Sequence, residues 1–102
     1  MNELYELLKQ LNIPVAYHHF VNATTPPYIT YYRSETNNFY ADNKVYKKID
    51  TYRVELYTPQ KDISLELQLE QLFDSNEIPF EIEAENYIES EKVYQVIYEI
   101  NI

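Results

Sequence analysis

The sequence predicts an α+β domain: a mainly antiparallel sheet of about five strands with two helices on one face. Two observations carry this. Leu4, Leu7, Leu8 and Leu11 recur at the spacing of an amphipathic helix. Tyr52, Val54 and Leu56 alternate with Arg53, Glu55 and Tyr57 as in a strand with one buried face. Read in order, the segments run helix, three strands, helix, two strands.

The first helix closes at "NIP", because Pro14 disfavours helix at the residue before it. "VAYHHF" reads as a short strand, "NATTPP" as a turn-rich break, and the β-branched and aromatic residues 28–34 as a second strand. The stretch 37–43, "NNFYADN", reads as a glycine-free loop in which Asp42 and Asn43 favour a turn. Residues 44–58 form the third strand, with Tyr52, Val54 and Leu56 inward.

Residues 59–75 alternate like a strand, yet Leu, Glu and Gln dominate and the segment exceeds ordinary strand length. A helix is therefore expected, with Pro59 in its first turn and Leu65, Leu69, Leu72 and Phe73 on the core side. That choice leaves Ile63 and Leu67 on a different face of the helix, so either the segment is not a helix or they form a second apolar patch facing something outside the core. Two strands follow, over 78–86 and 92–102. In the first, Phe80, Ile82 and Ala84 are expected on one face, and Glu81, Glu83 and Glu85 on the other. In the second, Tyr94, Val96, Tyr98 and Ile100 share a face.

The chain of 102 residues suits one domain, and no apolar run reaches the length of a membrane span. Its opening is acidic and amphipathic rather than a basic region followed by an apolar block, so a soluble, unexported protein is expected. It contains no cysteine, which removes disulfides, thiolate nucleophiles and cysteine metal sites. Nor does it contain glycine, and the loops that cradle phosphates need glycine for positive φ and close backbone approach. Charge is split: residues 1–53 hold six Lys/Arg against five Asp/Glu, while residues 54–102 hold two against twelve. A broad phosphate-binding face is excluded by that balance. An ordinary solubilising surface accounts for it, and the sharper reading is a module with two unlike faces.

Chemistry is sparse. His18 and His19 are the only histidines, and as neighbours on a strand they are expected to point to opposite faces and so not to converge on a metal. Glu81, Glu83 and Glu85 read as a solvated acidic face. No serine, lysine or histidine is arranged as an activated nucleophile, so neither enzyme activity nor a cofactor is expected. Twelve tyrosines stand out. Tyr52, Tyr94 and Tyr98 are expected in the core; Tyr28, Tyr32, Tyr40, Tyr46 and Tyr57 fall at loop or outward positions suited to protein contact.

"LNIPVAYHHF", "PPYITYYRSETNNFYADNKVYKKIDTYRVELYT", the "KD" that opens a Leu/Glu-rich helix and "YIESEKVYQVIYEI" together span nearly the whole chain. They resemble the small tail-completion or tail-terminator proteins of long-tailed bacteriophages and of prophages of Gram-positive bacteria. Neighbouring families of head–tail joining proteins have similar size and fold. The resemblance implies a structural virion protein. It would form a ring, of six copies by family habit, at the head-proximal end of the tail tube, meeting the tube protein on one side and a head-completion or connector protein on the other. DNA would be a transient passenger, with no membrane involved and assembly in the host cytoplasm. On this reading Phe39, Tyr40, Asp42, Asn43, Lys44, Lys47 and Lys48 reach an adjacent subunit or ring, Ile63 and Leu67 supply a lateral patch, and Glu81, Glu83 and Glu85 line the channel and repel DNA; the plainer expectation for 37–48 is a hairpin whose aromatics fold back onto its own core. The contrasting expectation is a small acidic inhibitor that imitates nucleic acid and occupies a host DNA-binding protein.

Overall fold

The alternation through Tyr52, Val54 and Leu56 marks the middle of the sheet: all three are buried, and the strand bearing them pairs on both sides. The computed structural model describes residues 2–41 and 44–102. Its elements are α1 (Asn2–Lys9), β1 (Val15–Tyr17), β2 (Tyr28–Ala41), β3 (Lys44–Thr58), α2 (Ile63–Ser75), β4 (Phe80–Ile88) and β5 (Val93–Asn101). Strand order is β1-β2-β3-β5-β4, with the β1–β2 pair parallel and the other described pairs antiparallel. This is the expected α+β order of helix, three strands, helix, two strands.

Leu4, Leu7 and Leu8 of α1 pack with Leu65, Leu69 and Phe73 of α2 against one face of the sheet. That face presents Ile29, Tyr31, Tyr52, Val54, Leu56, Val96, Tyr98 and Ile100. Full burial of each such side chain contributes about 1.5–3 kcal/mol. The opposite face, with Arg53, Glu55 and Tyr57 of β3, is covered by neither helix and stays half-exposed.

Four non-glycine residues take positive φ where a chain with glycine would usually place one: Asn12, His18, Glu77 and Lys92. Asn12 ends the turn after α1, and Lys92 closes the β4–β5 hairpin. Glu77 ends α2: Ile78 N–H donates to the Phe73 carbonyl at 2.9 Å and Glu77 N–H to that of Asp74 at 3.1 Å. That is a left-handed helix cap, fastened by Ile78 packing on the core. The start of α2 lies later than Pro59. Asp62 is the N-cap, its Oδ1 accepting from Leu65 N–H at 3.0 Å.

Two expectations about strands need correction. The second strand does not stop at residue 34; it continues to Ala41, so most of the expected loop is ladder. Pairing with β3 overrides a composition rich in asparagine, whose own preference is for turns. The other correction concerns β4, whose pairing with β5 shifts between Ile82 and Ala84. Such a bulge inserts one residue and swaps the faces of everything after it.

Candidate functional site

Beyond Thr36 and Asp50 the sheet narrows to a ribbon. β5 ends its pairing with β3 at Thr51, and the chain end adds two bonds between Ile102 and Asp50, at 2.9 and 3.0 Å. From Asn37↔Ile49 to Ala41↔Lys44 the described residues of β2 and β3 pair only with each other. This arm fits the elongated form of the molecule, 51 × 27 × 23 Å, and a radius of gyration of 14.8 Å. A compact chain of this length would have a radius near 13 Å. The arm is anchored where Ser34 Oγ donates to the Thr51 carbonyl at 3.0 Å and Thr36 Oγ1 to Asp50 Oδ1 at 2.7 Å. Phe39, Tyr40, Lys44, Lys47 and Lys48 all belong to it by backbone pairing, whereas Asp42 and Asn43 lie outside the described residues. A two-stranded ribbon is marginal alone in water, so an arm of this length gains most from a partner.

The second apolar patch is present as read from sequence: Ile63 is 61% exposed and Leu67 55%. On the same helix Glu66 and Glu70 turn toward β4 and β5. Glu66 Oε1 accepts from Lys61 at 3.0 Å, Lys61 also bonds Glu85, and Tyr98 Oη donates to Glu70 Oε2 at 2.8 Å. Hydrogen bonding to Glu66, and then to Glu85, pushes the Lys61 ammonium above the usual lysine range. With 3.6 residues per turn, Ile63 and Leu67 follow Glu66 and Glu70 around the helix, turned away from the buried Leu65 and Leu69.

Glu81, Glu83 and Glu85 do not share a face, as the sequence alternation implied. Glu81 stands opposite Glu99 on the open face, and Glu83 at the bulge bonds Arg53 at 3.1 Å, also from the open face. After the bulge Glu85 pairs with Val96, a core-side residue, and meets Lys61. The same bulge places Tyr87 opposite Tyr94 on the helix side, ring centroids 5.0 Å apart. Both rings are exposed, so Tyr94 is not the core residue that alternation suggested.

A cleft of about 380 Å³ opens on the uncovered face between His18, Phe20, Tyr28, Tyr57 and Glu91. Tyr28 and Tyr57 stack there at 4.8 Å instead of projecting outward. A directed hydrogen-bond chain crosses four strands beside them. Asn86 donates to Gln95 at 2.9 Å, Gln95 to Tyr57 Oη at 2.8 Å, and Tyr57 to Glu55 at 2.9 Å; Thr30 adds a bond to Glu55 at 3.3 Å. Burial first, and then the Glu55 carboxylate against the opposing Gln95 donor, pushes the Tyr57 hydroxyl up to about 12. A phenol held that firmly protonated ties strands together and is a poor base at neutral pH. Spacing gave no warning of this network, since its members lie far apart in sequence and meet only through strand pairing.

The two histidines also differ from expectation. β1 ends at Tyr17, and His18 takes φ 69°, which breaks the alternation and brings the two Nδ1 atoms within 3.3 Å. The two neighbouring rings therefore converge instead of pointing to opposite faces. Among the described residues, no group of three or more His, Asp or Glu side chains is placed to hold a metal ion. Nor is any described helix long and apolar enough to cross a membrane. Comparison with models of known protein families gives no match, and comparison with curated proteins gives none either.

Proposed function

We propose that this chain is a structural subunit of a long-tailed phage, assembling as a ring at the head-proximal end of the tail tube and joining it to the head connector. The observation that carries the reading is the β2–β3 ribbon: a self-paired arm beyond the body, with Phe39 and Tyr40 on one strand and Lys44, Lys47 and Lys48 on the other. A closed ring needs unlike patches on the two flanks of each subunit. The ribbon supplies one, and the exposed Ile63 and Leu67 on α2 supply material for the other. Ring size follows only from the resemblance.

On this reading the open face, with Glu81 opposite Glu99, turns to the channel and repels passing phosphates. Glu85 leaves the proposed lining, because it is tied to Lys61 on the helix side. The acidic-decoy alternative loses support for a related reason: Glu83 and Glu85 are ion-paired within the chain and are poorly disposed to imitate free phosphates. The test is to mix the purified protein with tail tubes of the phage that encodes it and image the ends in negative stain. A cap at one end of each tube is expected; bare ends, with binding to a host nucleic-acid protein instead, would overturn the reading.

A further inference from the structure

Resting on the ring reading, the geometry points to the mating surface: we infer that the ribbon of one copy pairs along the free edge of β4 in the next, beside the α2 flank. β4 is the outer strand of the sheet, so the backbone groups on its far side have no strand partner among the described residues. Past the bulge, Ala84–Ile88 is a regular stretch of edge paired on one side only. Its helix side is left uncovered by α2 and presents apolar groups on two strands: Ile82 52% exposed and Tyr87 51% on β4, and Tyr94 on β5.

Charge selects the occupant. Residues 80–92 carry Glu81, Glu83, Glu85, Glu89 and Glu91 against Lys92, a balance of −4. Residues 37–49 carry Lys44, Lys47 and Lys48 against Asp42, a balance of +2. An acidic, bulged edge resists pairing with another copy of itself, which keeps β4 strands from joining in a two-fold dimer. It admits a basic strand, and Lys44–Ile49, "KVYKKI", offers that charge on the outer edge of the ribbon. The two surfaces lie apart on one subunit, so the contact is head-to-tail and can close into a ring.

The chain has no cysteine, so a single pair can be introduced cleanly. Asn86 pairs with Gln95, and Gln95 with Tyr57; Tyr57 lies ten residues along β3 from Lys47. That separates positions 47 and 86 within one copy by about 33 Å of strand, too far for a short bismaleimide. Lys47→Cys with Asn86→Cys, assembled on tail tubes and treated with that reagent, should give a ladder ending in a closed multimer. Either substitution alone should give no ladder. Assembly without cross-linking would overturn this pairing and leave the ring reading standing, and absence of assembly in the unmodified protein would overturn both. Hydrogen exchange gives an independent reading that needs no substitution: amides of Ala84–Ile88 should slow at least tenfold on assembly, and unchanged exchange there would refute the contact.

Discussion

Replacing Ile63 and Leu67 together by alanine separates a folding role from an assembly role. Their exposures of 61% and 55% mean that more than half of each side chain already faces water in the free subunit. Removing exposed apolar atoms from a helix surface changes stability by about 0.5 kcal/mol or less, and alanine's better helix propensity offsets part of that. In an assembled contact the same atoms would be covered. Full burial of such a side chain is worth about 1.5–3 kcal/mol, so the exposed share is worth about 1–2 kcal/mol per residue and about 2–3.5 for the pair. At about 1.4 kcal/mol per decade, each subunit contact should weaken roughly 30- to 300-fold. Urea unfolding followed by circular dichroism measures the first quantity, and sedimentation velocity with tail tubes measures the second. A variant that loses more than about 2 kcal/mol of stability yet assembles as tightly as the parent would refute the reasoning, because the patch would then serve the fold.

Three further outcomes follow from the interior and the ion pairs. Leu69 is fully buried between α2 and the sheet, so Leu69→Ala should cost about 2–5 kcal/mol in urea unfolding, against about 1 kcal/mol for loss of the Asp62 cap in Asp62→Ala. Tyr57 holds its proton more tightly folded, near 12, than unfolded, near 10, so the stability it contributes is whole below about pH 10 and is lost as pH rises toward 12. Tyr57→Phe should therefore show a shallower stability loss across that window. Lys61→Met should cost about 1–3 kcal/mol, because the nearly buried Glu66 loses its cation, and adding Glu66→Gln should recover part of the loss; no recovery would mean that the pair is immaterial.

Legibility varied with the range of the forces involved. The leucine stripe of α1 and the alternation of β3 were readable because burial imposes one period on neighbouring residues, and the second helix was readable through its Leu, Glu and Gln despite an alternating pattern. The exposed Ile63 and Leu67 were the visible residue of that conflict. Less was readable where pairing decides. Nothing local in "NNFYA" says strand; β3 opposite it does. A single inserted residue near Glu83 redirected Glu85 and Tyr87, and no periodicity argument marks where a bulge falls. The Asn86–Gln95–Tyr57–Glu55 chain and the approach of His18 to His19 depend on strand register and one left-handed residue, so they emerged only in three dimensions.

The central claim is that the ribbon is an assembly arm. The most direct test is the light-scattering mass of Phe39→Ala/Tyr40→Ala beside the unmodified protein, each with and without tail tubes. The unmodified protein is expected to form a closed multiple of its 12.3 kDa mass on the tubes, while the variant stays a folded monomer that leaves tube ends bare. A variant that unfolds, or that assembles like the parent, would contradict it, because those aromatics would then belong to the core or to no contact at all.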